Sequence, residues 1–264
     1  MRRVLFLIVL IITIICFAQS KAEITPKTAA DVKTEPVQDS LPPSKARIEL
    51  DRLEFDFGFA PQGNAKLVHN FTITNVGKDT LEITRVRPTC GCTAAPLKKK
   101  LLAPKEQTEV SVIFRTRGYK RKTAKSVRIE STDPTKPSLS VRFSTNLDTA
   151  AWTDTTKGPR IKSEPAIIDM GKGDLYQKKT TIDIINMVGQ KLDIEVIDYT
   201  NEVIKEPDLK KTKLSGNKST TLKVEMLSDY DIKNVIQASI TIAAYDKSGS
   251  EVTRFTIPII GCGP

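Results

Sequence analysis

The order of apolar and polar residues divides the chain into three regimes. Residues 4–15 are apolar except for Thr13; residues 21–46 hold almost no large apolar side chain and include Pro26, Pro36, Pro42 and Pro43; from residue 47 onward short apolar runs alternate with polar residues. Phe71 and Ile73, Leu81 and Ile83, Val110, Val112 and Phe114, and Val127 and Ile129 recur with a period of two. That period places them on one face of an extended strand, and the Gly, Pro, Asn and Asp clusters between the runs read as turns. No segment beyond the N-terminal run sustains a helical stripe. The pattern predicts an all-β sandwich architecture.

The pattern also repeats. Leu53-Glu54-Phe55-Asp56-Phe57-Gly58 answers to Ala166-Ile167-Ile168-Asp169-Met170-Gly171, residues 71–77 answer to 182–189 with one insertion, and residues 102–112 to 214–224. An offset of about 112 residues is the length of one immunoglobulin-like sandwich rather than of a solenoid repeat. Two tandem immunoglobulin-like β-sandwiches are therefore predicted over residues 47–147 and 160–264. The polar linker between them, residues 148–159, carries the sole tryptophan, Trp152. Trp152 is expected to act as a wedge at the domain junction and not as a core residue of either sandwich.

At the N-terminus, Met1-Arg2-Arg3 precedes the apolar run and small residues follow it, the plan of a cleavable signal peptide over residues 1–20. The run is shorter than the ~20 residues a membrane-spanning helix needs, so no transmembrane segment is expected after cleavage. Ile14 and Ile15 precede Cys16 where a lipidation signal carries small residues, so a lipoprotein anchor is not expected. Residues 21–46 cannot bury enough surface to offset their ordering entropy and read as a disordered spacer. The predicted location is the periplasm or the cell surface, where nucleic acid is not an expected partner.

Charge adds one feature. The formal net charge of +10 includes Arg2 and Arg3 of the signal, and basic residues crowd between Lys98 and Arg128. Such an excess either attracts an anionic surface, such as lipopolysaccharide or a wall polymer, or solvates an ordinary strand face.

The first repeat carries a recognisable set of motifs: Phe55-Asp56-Phe57-Gly58, Gln62-Gly63, His69-x-Phe71, Asn75-x-Gly77, Leu81-x-Ile83, Cys90-Gly91-Cys92-Thr93, Pro104-x-Glu106 and Arg115-Thr116-x-Gly118. Together they resemble the bacterial domain of unknown function 1573, a family common in exported proteins of Bacteroidetes-like bacteria and related to the immunoglobulin-like ASPM, SPD-2 and Hydin domains. The resemblance implies a fold and a compartment but no activity. The second repeat lacks the cysteine motif and reads as a divergent immunoglobulin-like domain. The family's Pro-Gly-Glu turn is here Pro104-Lys105-Glu106, which leaves open whether that turn adopts a positive φ.

Few residues can carry chemistry. The chain has one histidine, which excludes His-rich metal sites, and it has no phosphate loop, nucleophile elbow or zinc-protease helix. Glu54 and Asp56 alternate along a strand as a solvated face does. The exception is Cys90-Gly91-Cys92, whose side chains project to one face of an extended backbone. Strand alternation places His69, Cys90 and Cys92 at the pole that also bears Trp152, so these four are expected to lie together at the domain junction. One reading is a metal set of Cys90, Cys92 and His69, with Cu(I) the soft ion that suits thiolates. The others are a Cys90–Cys92 disulfide, structural or redox-active, cysteines packed as small apolar groups, and a His69 that caps the core in phase with Phe71 and Ile73. Cys262 is the odd cysteine of the mature chain; if the sandwiches stack end to end, it lies on the order of 40 Å from the first domain's exit.

The leading functional expectation is an exported, non-enzymatic envelope protein, a structural or interaction scaffold for an envelope protein or glycan. The alternative is a thiol-redox or copper-binding envelope protein centred on Cys90 and Cys92.

Overall fold

The computed structural model describes residues 44–263 except 149–151, 153, 155, 157 and 231–234. The predicted signal peptide and all but the end of the predicted spacer lie outside the described residues, as does much of the predicted linker. The first nine strands are β1 (Ile48–Leu50), β2 (Glu54–Phe59), β3 (Lys66–Asn75), β4 (Leu81–Pro88), β5 (Thr93–Ala94), β6 (Leu101–Leu102), β7 (Gln107–Arg115), β8 (Lys122–Ser131) and β9 (Ser138–Asn146). The next nine repeat the plan: β10 (Ile161–Glu164), β11 (Ile168–Lys172), β12 (Lys179–Asn186), β13 (Leu192–Tyr199), β14 (Asp208–Leu209), β15 (Lys213–Leu214), β16 (Ser219–Glu225), β17 (Ala238–Tyr245) and β18 (Glu251–Cys262).

Each half is an immunoglobulin-like β-sandwich with its own core. In the first, the sheet β1-β3-β7-β5 faces β2-β9-β8-β4-β6; in the second, β10-β12-β16-β14 faces β11, β18, β17, β13 and β15. The alternating residues close these cores: Phe57, Phe71, Phe114 and Phe143 in one, Ile184, Leu222, Ile240 and Ile257 in the other. The alternation of burial along β7 and β12 follows the period of two in their sequences.

The sequence repeat has a mechanical meaning at Asn75 and Asn186, both fully buried. Asn75 Nδ2 donates to the carbonyls of Asp79 (2.8 Å) and Leu102 (2.9 Å), while its Oδ1 accepts from Gly77 N–H at 2.9 Å. Asn186 makes the same set with Gln190 (2.9 Å), Leu214 (3.2 Å) and Val188 N–H (3.0 Å). Each amide thus ties the turn after its strand to the segment before the β7 or β16 strand, supplying partners to backbone groups that water cannot reach.

One local expectation changes, and one point left open by the sequence is answered. The spacer was expected to run through residue 46, but Ala46 is fully buried in the first core and Lys45 N–H donates to Asp79 Oδ2 at 2.7 Å. Gly77 makes this docking possible, because a Cβ there would stand 2.2 Å from Lys45 O. At the Pro104-Lys105-Glu106 turn, Lys105 adopts φ 69° although it is not glycine. Its N–H donates to Asn75 O at 2.8 Å, which holds the left-handed turn.

Candidate functional site

The two sandwiches are joined side by side, not end to end. β1 is short: it pairs with residues 73–75 of β3, and Asp51 bonds both backbone groups of Thr72, so the edge before Thr72 has no strand of the first domain beside it. The second sandwich fills the opening. Ser239 on β17 offers its hydroxyl to both groups of Val68: Oγ accepts from Val68 N–H at 2.9 Å and donates to Val68 O at 3.1 Å. Beside it, β18 runs parallel to β2 with Phe255 opposite Phe59. Thr256 Oγ1 donates to Phe57 O, and Arg254 Nη1 donates to Asp56 O at 3.0 Å. One sheet therefore continues through both domains, in the order β15-β13-β17-β18-β2-β9-β8-β4-β6.

The local sequence explains the close approach. Gly58 has φ 65°, and a Cβ on it would stand 2.2 Å from Arg254 O. Asp56 Oδ1 accepts from Gly58 N–H at 3.0 Å, and the repeat partner Asp169 does the same for Gly171 at 2.9 Å. In the second domain the turn serves its own sandwich; in the first it admits β18. Ser239 and Thr241 on β17 and Thr256 on β18 are small, hydroxylated and buried, and the Thr241 and Thr256 hydroxyls bond each other at 2.9 Å.

His69 sits at this seam. It is buried, stacks on Phe55 at 3.7 Å between centroids, and meets Phe71 edge-on at 4.7 Å. Its Nδ1 lies 3.0 Å from Asp198 Oδ2 of the second sandwich, a contact that fixes the Nδ1–H tautomer by giving that proton a carboxylate acceptor. A polar rim surrounds the pair. Lys98 bridges Glu109 of its own domain and Glu202 of the other, each at 2.6 Å, and Asn70 Nδ2 donates to Glu202 at 2.9 Å. Burial works against the Lys98 ammonium, but its bonds to Glu109 and Glu202 outweigh that and hold its pKa above the usual lysine value.

Cys90 and Cys92 form a disulfide with Cα atoms 5.3 Å apart, and the Thr93 hydroxyl lies 3.5 and 3.7 Å from the two sulfurs. The expected grouping of His69 with these cysteines is not what the fold builds. The cysteine loop leads into β5, at the far edge of the β1-β3-β7-β5 sheet, where Arg115 N–H donates to Cys92 O. His69 lies two strands across, and three residues along β3 from Lys66, the partner of Arg115. Two strand spacings and three residue steps separate them by roughly 14 Å. Strand alternation is silent about which edge of the sheet each residue occupies. Among the described residues no group of three or more His, Cys, Asp or Glu side chains is arranged to hold a metal ion.

Trp152 packs on the second core, edge-on to Phe255 at 5.4 Å, and so belongs to the second sandwich beside the seam. Cys262 pairs in register with Lys172 on β11, seven residues beyond Phe255, about 24 Å along the strand.

Ser239, Thr256 and Asp198 were not singled out from sequence. One signal was present: residues 238–244 carry no exposed alternation, and an unbroken run of small and apolar residues marks a strand buried on both faces.

Against known proteins, a search of curated sequences finds no match. Among solved structures, a protein of unknown function from Porphyromonas gingivalis W83 is 17% identical, with 81% of this chain and 99% of that chain covered and a TM-score of 0.34. PapD-like domain 7 of human CEP192 is 16% identical over 46% and 97% of the two chains, with a TM-score of 0.31. The VesB protease of Vibrio cholerae is 16% identical over 39% of this chain and only 32% of its own length, with a TM-score of 0.33. At these scores the likenesses carry no functional inference. The family DUF1573, described as a protein of unknown function, matches residues 48–147. Those residues are the first sandwich with its Cys-Gly-Cys loop, so the family match is confined to that domain.

Proposed function

We propose that this chain is an exported envelope protein that works by binding, a two-sandwich scaffold that holds an envelope protein or glycan and catalyses no reaction. The seam is the observation that carries this reading. Hydrogen bonds from Ser239, Thr256 and Arg254 to the backbone of β2 and β3 hold the domains at one angle, so that their outer faces and edges form a single preset surface.

Two further observations support it. The chain's one histidine is committed to the seam, packed between Phe55, Phe71 and Asp198, and is not displayed in a cleft as an acid or base. The Cys90–Cys92 disulfide suits an oxidising compartment and, with the apolar N-terminal run, favours export.

Cell fractionation with intact-mass measurement tests the proposal. The chain should be recovered from the envelope or periplasmic fraction, shortened by the N-terminal segment and with Cys90 and Cys92 oxidised. Recovery from the cytoplasm with Met1 or Arg2 as the first residue and both thiols reduced would overturn it.

A further inference from the structure

The outward face of β4, β8, β9 and β2 bears an arrangement that folding alone does not favour. Arg87 on β4 stands directly opposite Arg128 on β8, and both are exposed. Like charges at opposed positions of a ladder repel and destabilise the pair. Several cations elsewhere on the surface are paired with acids: Lys98 with Glu109 and Glu202, Lys99 with Glu106, Lys205 with Glu225 and Arg254 with Glu251. On this face Arg85 is opposite Glu130, and Arg142 is opposite Glu54. Arg87 is opposite Arg128, and Arg128 has Ser140 across its other edge, so the ladder sets no acid directly opposite either arginine.

Beside them the sheet is hollow. Ser126 lies opposite Arg142, and Ala124 opposite Ser144, so short side chains line the centre of the face. Two adjoining hollows of about 400 Å³ each share Ala124 and Arg142 as walls. Arg142 sits one strand over from Arg128 and two residues along, a diagonal of about 7–8 Å. The residues are brought together by register alone, since Arg87, Arg128 and Arg142 are far apart in sequence.

We propose that this face is a binding site for a carboxylate-bearing polysaccharide, the Arg87–Arg128 pair clasping one carboxylate and Arg142 engaging the next. Guanidinium groups match carboxylates with two parallel hydrogen bonds, which offsets the repulsion between the arginines. The serine hydroxyls between them match sugar hydroxyls. A peptide is the poorer fit, because extended peptides dock on sheet edges through backbone hydrogen bonds, and a sheet face offers none. A lipid surface fits less well still, since the hollow is lined by Glu54, Asp56, Lys122, Arg142 and hydroxyls, and its large apolar neighbours Phe55 and Phe143 are buried and do not project to enter acyl chains. That the glycan belongs to the cell envelope rests on the export proposed above; the binding itself does not, so a purified-protein assay separates the two.

The test measures binding of the purified chain to polygalacturonate, with uncharged dextran and poly-glutamate as comparisons, at low and moderate salt. Polygalacturonate should bind, more weakly as salt rises, and more tightly than poly-glutamate. The combined Arg87→Ser, Arg128→Ser and Arg142→Ser variant should lose at least roughly tenfold in affinity, the worth of one charge-assisted hydrogen bond. A variant of equal charge change on the second sandwich, Lys211→Ser, Lys213→Ser and Lys218→Ser, should bind as the parent does. Melting curves check folding, and Arg87→Ser alone should melt no lower than the parent because it removes the repulsion; should the triple variant not fold, Arg128→Gln alone must still weaken binding. No binding of polygalacturonate, equal binding of poly-glutamate, or equal loss in the second-sandwich variant would overturn the proposal.

Discussion

The Ser239 hydroxyl accepts from the N–H of Val68 and donates to its carbonyl, so that one side chain of the second sandwich takes the place of a neighbouring strand for the first. Both Ser239 and Val68 are buried, and no water can substitute. Ser239→Ala should therefore cost about 2–4 kcal/mol by leaving a buried N–H and a buried C=O unpaired. Urea denaturation reads this as a lowered midpoint, and a variant within about 0.5 kcal/mol of the parent would remove Ser239 from the account of the seam.

Asn186→Ala tests whether the sequence repeat reflects a shared clamp. Asn186 Nδ2 serves Gln190 and Leu214 while its Oδ1 serves Val188, as Asn75 does for its own turn. Both Asn75→Ala and Asn186→Ala should destabilise by about 2–3 kcal/mol or more, since each strands several buried backbone groups. A large loss at one position and none at the other would show that the two clamps are not equivalent.

Lys105→Gly should have the opposite sign. Lys105 holds φ 69°, where an L side chain meets a steric penalty of about 1 kcal/mol that glycine avoids. The added freedom of the unfolded chain takes back part of that gain, so a rise of a few tenths of a kcal/mol is expected in thermal or urea unfolding. A decrease would mean that the Lys105 side chain itself contributes to the turn.

Stability should also fall in acid through Asp133. Burial works to raise its carboxyl, but hydrogen bonds from Ile48 N–H, the Thr135 hydroxyl and N–H, and Lys136 N–H outweigh it and hold the pKa below the ordinary aspartate value. A depressed carboxylate stabilises the fold above its unfolded value, near 3.9, and that contribution disappears as pH falls through the lower folded value. Asp133→Asn should be less stable than the parent at neutral pH, and the two should converge as pH falls through the depressed folded value of Asp133. A constant difference across the whole range would contradict the assignment.

Strand positions, the two sandwiches and the first domain's family were legible in the sequence because each rests on local signals: the period of two, the turn residues and the repeated Asp-x-Gly and Asn clamps. The seam was not legible, since it depends on which edge β1 leaves open and on hydroxyls whose partners lie over a hundred residues away. His69 shows the limit. Its phase with Phe71 and Ile73 was visible, but its partner Asp198 is set by the packing of one domain on another. The cysteines show another limit, because counting strands gives the pole of a sandwich and leaves its two edges indistinguishable. Trp152 packs on Phe255, which belongs to the second core and also to the strand that crosses the seam.

The claim that the two sandwiches act as one block is tested most directly by following both domains through a single urea titration. Fluorescence of Trp152, the sole tryptophan, reports the second sandwich, and amide hydrogen exchange along β3 reports the first. The seam predicts coincident loss of the two signals, with one midpoint that shifts for both when Ser239 is replaced by Ala. Two separate midpoints, or a Ser239→Ala shift confined to the tryptophan signal, would contradict it.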